Sequence, residues 1–201
     1  MQKIKRHFKK ADPALHALIK GNDWHLNPRR NYTKFTGLCR IVAGQQLSTK
    51  AAHSIFTKFS LLFPNGKPSP EETLSLTVAE LRSCGLSNSK CRTIAALAEA
   101  ATNGALPLMR FKRMADGEIA EHLLKIPGIG PWSVEMFLMF YLGREDIFSA
   151  GDLGLRTAIM KLDNLEALPT PEEATKRAER WSPYRTYACR ILWQSLDNTP
   201  S

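Results

Sequence analysis

Two short stretches of the sequence combine residue types at spacings that suit chemistry. The first is Leu124-Lys125-Ile126-Pro127-Gly128-Ile129-Gly130-Pro131-Trp132-Ser133. Upstream of it, Ile119/Leu123 and Ala120/Leu124 pair at i,i+4, and downstream the apolar run from Ser133 reads as a helix. A Pro-Gly-Ile-Gly turn between helices makes a hairpin whose backbone approaches its surroundings closely. Glycine is needed where a Cβ would block that approach or forbid positive φ. The following helix presents free N–H groups at its start. Gly128, Ile129, Gly130 and Pro131 therefore read either as a neutral, shape-based grip on a phosphate or as a tight turn that binds nothing. The second stretch is Phe148-Ser149-Ala150-Gly151-Asp152-Leu153-Gly154-Leu155-Arg156. Asp152 ends a loop and caps a helix carrying Leu155, Ile159 and Leu162. Helix dipole and N–H bonds keep such a carboxylate ionised. An ionised carboxylate at a cleft is also what a reaction through a cationic sugar needs, although capping alone is sufficient reason for an Asp.

The elements that must position these stretches read as helices. Only three valines occur (Val42, Val78, Val134), and strand-like alternation is scarce. Asp12-Pro13 reads as an N-cap with proline at N1, followed by Leu15, Leu18 and Ile19, with Gly21 as a stop. Thr77/Glu80 and Thr170/Glu173 have capping-box spacing. Ala52, Ile55, Phe56 and Phe59 form one apolar stripe, and Ile94, Leu97, Ala98 and Ala101 another; Val134 to Leu142 is apolar nearly all round. The expected fold class is all-α, with roughly eight to eleven helices in two lobes around a cleft. The loop Asn65 to Pro70 is the clearest joint between halves. The expected lobes are residues 30–118 and residues 1–29 plus 119–201, the second carrying the hairpin (124–133). The basic start, Met1 to Lys10, reads as a frayed tail or a phosphate-touching arm, and Asp197 to Ser201 as a loose tail.

The 201 residues include 28 Lys+Arg against 19 Asp+Glu, a net charge of +9, which favours anionic partners, nucleic acid first. A hydrophobic share of 43% excludes a disordered chain. No apolar run approaches the ~18 residues of a membrane span, and no apolar stretch follows the charged start, so a secretory signal is not expected. Cys39, Cys84, Cys91 and Cys189 lack the spacing of a zinc or iron–sulfur site and read as buried thiols in a reducing cytoplasm.

Four blocks in order resemble the helix-hairpin-helix (HhH-GPD) DNA glycosylase superfamily, in particular its compact 3-methyladenine DNA glycosylase II group. They are Ile41-Val42-Ala43-Gly44-Gln45-Gln46-Leu47-Ser48, Gly85-Leu86-Ser87-Asn88-Ser89-Lys90, the hairpin with its downstream Asp152, and Trp181-Ser182-Pro183-Tyr184-Arg185-Thr186-Tyr187-Ala188 ending at Trp193.

The resemblance implies the DNA-glycosylase fold and excision of alkylated purines, 3-methyladenine among them, from double-stranded DNA by base flipping. Asp152 is then the catalytic carboxylate. Gln46 or Leu47 is the wedge that fills the gap left by the flipped nucleotide, with Gln46 favoured. Trp132, Trp193, Met136 and Leu153 take base-pocket positions; the family's tyrosines are replaced at the last two. Bifunctional relatives place a nucleophilic lysine where Trp132 stands, so a monofunctional hydrolase without lyase activity is expected. No catalytic cofactor is implied. The backbone carbonyls of Leu124, Ile126 and Ile129 match positions that hold a monovalent cation (Na+ or K+) in the family. Arg156 and Lys161 read as backbone-binding charges or as solvated helix surface. The expected partner is duplex DNA containing alkylated bases, with no membrane; a monomer is the default, in the cytoplasm or on the nucleoid. The alternatives are a non-catalytic helix-hairpin-helix DNA-binding protein and a glycosylase of different base specificity.

Overall fold

The computed structural model describes residues 1–196 apart from 22, 23, 27 and 30; the tail expected to be loose lies outside the described residues. No strand occurs among the described residues. Twelve α-helices do, more than expected, because prolines and caps start one-turn helices as well as long ones. No described helix is long and apolar enough to cross a membrane.

The chain divides into two compact units, Arg29–Leu142 and Met1–Pro28 together with the segment from Gly143 on. The division falls at 142/143 rather than near 118, so the hairpin belongs with the 30–118 region. The loop Asn65 to Pro70 does not separate the units either: Thr36 Oγ1 donates to the Pro68 carbonyl at 3.1 Å and ties that loop down inside its unit.

In the unit Arg29–Leu142, α3 (Lys34–Gly44) is buried along most of its length and packs on α4 (Thr49–Ser60), α7 (Asn88–Thr102) and α9 (Pro131–Phe137). Stripe residues Ala52, Phe56 and Phe59 of α4 are buried, as are Ile94, Leu97 and Ala98 of α7. α5 (Pro70–Leu74) and α6 (Val78–Ser83) lie against α7, and α8 (Asp116–Leu124) leads into the hairpin. The apolar run after Val134 is not one regular helix: residues Leu138–Leu142 form a π-helical turn. The Tyr141 ring there lies against Gly37, where a Cβ would come within 2.4 Å of a ring carbon.

In the other unit, α1 (Gln2–Ala11) replaces the expected frayed tail, because Ile4 and Phe8, one helical turn apart, are both buried. α2 (Pro13–Ala17), α10 (Leu153–Leu162), α11 (Pro171–Ala178) and α12 (Arg185–Ser195) complete it. Its core holds a charged knot. Asp12 is 3% exposed; its carboxylate accepts from the Leu15 N–H at 3.0 Å and the Trp181 indole at 2.8 Å, and meets Arg177 Nη1 at 2.6 Å. Arg177 also grips Asp163 through two nitrogens.

Burial pushes the Asp12 carboxyl up, but Arg177, the Leu15 amide and Trp181 together hold it below its ordinary value. A carboxyl depressed in the folded state stabilises fully above its unfolded pKa, ~3.9, and that contribution is lost as pH falls through the folded value. Asp12→Asn is expected to lower stability at neutral pH towards the low end of the ~3–5 kcal/mol for breaking a buried pair, since Arg177 keeps Asp163. In urea titrations the gap between variant and wild type should narrow steadily below pH 4. A gap independent of pH would remove Asp12 from the acid response.

Candidate active site and nucleic-acid interface

The expected site residues fall into two groups, one in each unit. Gln46, Leu47, the hairpin, Trp132 and Met136 belong to Arg29–Leu142, whereas Asp152, Leu153 and Trp193 belong to the other unit.

Asp152 sits at the N-cap of α10, half-buried, with Oδ1 accepting from the Leu155 amide at 2.9 Å. The same oxygen accepts from the Trp193 indole N–H at 3.0 Å. Trp193 is 0% exposed on α12. Trp193, expected at a base-pocket position, is a buried hydrogen-bond donor: an indole N–H taken from water needs a partner, and the carboxylate supplies it. Leu153, next in the chain, is 63% exposed.

The start of α12 organises the segment that leads to Asp152. Arg185 donates from Nε to Asp146 Oδ1 at 2.8 Å and from Nη2 to Oδ2 at 3.0 Å. Burial pushes Asp146 up, while Arg185 and Ser182 hold it below its usual value. The Thr186 hydroxyl donates to the Arg144 carbonyl at 2.7 Å and accepts from the Ile147 amide at 3.0 Å, and the Tyr187 hydroxyl donates to Glu145 at 2.7 Å. This gives the carboxyl-terminal block a physical role that its spacing did not disclose. Its three consecutive residues Arg185, Thr186 and Tyr187 clamp residues 144–147, and Trp193 then reaches the carboxylate that follows. Asp146 and Glu145 escaped the sequence reading, since an acidic pair in a loop carries no local signal.

In the other unit, the hairpin turn closes with Ile126 N–H to Leu123 O and Ile129 N–H to Ile126 O, both 3.0 Å, and Gly130 O accepts from the Ser133 and Val134 amides. Ile126 and Ile129 are buried, while Leu124, Gly128 and Pro131 are exposed. The two glycines differ. Gly128 has φ +87°, and a Cβ there would lie 2.0 Å from Thr93 Oγ1. Gly130 has φ −109° and nothing within 4 Å of a built Cβ. The protein itself therefore requires glycine at 128 but not at 130. Trp132 on α9 is half-buried, and Met136, one turn on, is buried at 2%.

The Gln46–Leu47 turn joins α3 to α4. Gln46 is exposed with φ +57°, a conformation that non-glycine residues rarely hold. Leu47 is 41% exposed, directly before Ser48, the N-cap of α4. Two partners of this turn were missed by sequence reasoning. Gln45 Nε2 donates to the Gly128 carbonyl at 3.0 Å and to Ser133 Oγ at 2.9 Å. Lys90 Nζ donates to the Ala43 and Gln45 carbonyls, both at 2.9 Å. Of the expected surface charges, Arg156 is engaged internally, donating to the Pro169 carbonyl at 2.7 Å, and Lys161 is exposed.

Comparison with known proteins gives a consistent picture. The profile of the HhH-GPD superfamily of base excision DNA repair proteins matches residues 39–183. DNA-3-methyladenine glycosylase 1 of Schizosaccharomyces pombe is 38% identical over 173 residues, covering 84% of this chain and 76% of the relative. An alkylbase DNA glycosidase-like protein of the same yeast is 32% identical, covering 96% and 92%. Among solved structures, the S. pombe 3-methyladenine DNA glycosylase in complex with abasic DNA superposes with a TM-score of 0.88 at 33% identity, over 99% of this chain and 98% of that one.

Proposed function

The chain belongs to the HhH-GPD superfamily of base excision DNA repair proteins, and from that premise we propose that it is a DNA-3-methyladenine glycosylase that hydrolyses the N-glycosidic bond of alkylated purines in duplex DNA. The observation that carries this reading is a single carboxylate, Asp152, fixed by a helix amide and by the buried Trp193 indole. A base inside a duplex cannot be reached, so the nucleotide leaves the stack first. As the C1′–N bond breaks, its electron pair goes to the base and positive charge builds on the sugar. Asp152 stabilises that charge and takes a proton from the water whose oxygen bonds to C1′. A purine alkylated at N3 or N7 already carries a positive charge, so it departs neutral without added acid.

The half-buried Trp132 suits the same substrate class, because an indole face attracts a cationic base by about 0.5–2 kcal/mol. An indole supplies no amine to attack C1′, so the product is a free base and an intact abasic strand. The hairpin grips backbone phosphate. Of the two wedge candidates the resemblance favours Gln46; we take Leu47 instead, because minor-groove wedges are frequently apolar and Leu47 is the exposed apolar residue of the turn. No cofactor takes part in the bond cleavage. The carbonyls of Leu124, Ile126 and Ile129 lie at the end of α8 and in the turn after it, and neutral oxygen donors of this kind suit Na+ or K+. The protein acts as a monomer.

Incubation with methylated duplex DNA is expected to release 3-methyladenine as free base, seen by chromatography, without strand cleavage. Borohydride should trap no protein–DNA adduct; a trapped adduct would refute hydrolysis without lyase chemistry, and absence of base release would refute the glycosylase reading.

A further inference from the structure

We infer that Gln45 and Lys90 form a strut that locks the wedge turn to the hairpin, making them positioning residues for base flipping. The inference rests on the reading of Leu47 as wedge and of the hairpin as phosphate grip. Residues 45 and 128 are 83 positions apart in sequence, yet the Gln45 amide bridges the turn's backbone (Gly128 O, 3.0 Å) and the first turn of the next helix (Ser133 Oγ, 2.9 Å). Ser133 is 2% exposed, so its hydroxyl is a fixed point. Lys90 holds the other end of the turn, donating to Ala43 O and Gln45 O on either side of Gly44.

Each contact has a clear physical reason. The last carbonyls of α3 have no intrahelical donors, and a cation at a helix C-terminus opposes the negative end of its dipole. Lys90 does both at once, on a stem long enough to come from the start of α7. Burial holds the Lys90 ammonium below its usual pKa, so the contact is partly withdrawn from water. Between these anchors stands Gln46, whose φ of +57° would relax if the turn were free. The turn is therefore over-determined. One side is held by an ammonium, the other by an amide whose acceptors are the hairpin carbonyl and the hydroxyl just beyond it. A wedge has to enter the stack at a fixed offset from the gripped phosphate, and misplacement by about 1 Å costs on the order of 10²-fold in a positioned reaction.

The test is a double-variant cycle on the whole protein. Gln45→Glu keeps the shape, deletes both N–H donors and adds a charge at the hairpin, so Lys90→Met and Gln45→Asn, which bring in no negative charge, are read beside it. Leu47→Ala deletes the wedge. Single-turnover excision of 7-methylguanine and the fluorescence of 2-aminopurine beside the lesion are read at saturating DNA, with thermal midpoints alongside. Gln45→Glu is expected to lower both flipping signal and excision at least tenfold. Added to Leu47→Ala, it should lower them little further, because both changes remove one unit of function. Lys90→Met should behave like Gln45→Glu, and Lys90→Arg should restore most of the loss. Losses that multiply in the double variant, or that track only the thermal midpoint, would overturn the strut. If Gln45→Glu fails to fold, Gln45→Asn, one methylene shorter, gives the same comparison. Leu47→Ala with normal flipping would instead refute the wedge reading and the strut with it, whereas an impaired Leu47→Ala beside a normal Gln45→Glu would refute the strut alone.

Discussion

Asp152→Asn is expected to lower single-turnover release of 3-methyladenine by roughly 10²–10⁴-fold or more, the range for a positioned acid–base or charge-stabilising group, while leaving the thermal midpoint nearly unchanged. The variant separates two roles of the carboxylate. Asp152 caps α10 through Oδ1 and the Leu155 amide, and Asn caps helices about as well as Asp. An amide oxygen can still accept from Leu155 and from the Trp193 indole. What the amide lacks is the negative charge opposite a sugar turning cationic and the basicity to take a proton from water. Binding of duplex carrying an abasic site should persist, since no step of bond cleavage is involved. Trp193→Phe offers the complementary measurement: it keeps a buried ring but deletes the N–H and one ring of the indole, so its thermal midpoint is read alongside to separate the packing loss. Losing a hydrogen bond to a charged group, worth about 1.5–3 kcal/mol, corresponds to roughly ten- to a hundredfold in rate, with a smaller defect than Asp152→Asn. Base release by Asp152→Asn at the wild-type rate would remove the carboxylate from the mechanism.

The second large effect is expected at the hairpin, where Gly128→Ala and Gly130→Ala should fail for different reasons. At Gly128 an added methyl meets Thr93 Oγ1 at 2.0 Å and the backbone holds φ at +87°. The turn must move or strain, by roughly 1–2 kcal/mol for the conformation alone. Both stability and DNA affinity should fall, and Thr93→Ala in the same chain should recover the steric share but not the conformational one. At Gly130 the chain has ordinary φ and open space, so Gly130→Ala should fold normally. Its affinity for abasic-site duplex should nonetheless fall tenfold or more if the backbone there approaches a phosphate. Gly117→Ala on α8, where a methyl also meets nothing, is the control and should bind as wild type. Equal affinity for Gly130→Ala and wild type, by fluorescence anisotropy at fixed salt, would take the hairpin out of the interface.

The local parts of this molecule were legible in the amino-acid order because their physics spans three or four residues. Thr77 and Thr170 cap their helices through Glu80 and Glu173 as spaced. Asp152 caps α10, and the Pro-Gly-Ile-Gly turn joins two helices. The basic start hides its helix for an equally local reason: five Lys and Arg residues mask the Ile4/Phe8 pair that anchors α1. The boundary between the units lies at 142/143 rather than 118/119 because α9 is bound to α3 by packing that no spacing announces.

Composition, cap positions and the four blocks determined the helical class, the hairpin and the carboxylate. Tertiary structure alone decided that Trp193, 41 residues from Asp152, is the carboxylate's donor, and that Gln45 belongs to the hairpin as much as to its own turn. The reason is that a helix cap draws on neighbours in sequence. The partner of a buried indole or amide is whichever acceptor the packed chain brings within 3 Å, and only the fold specifies it.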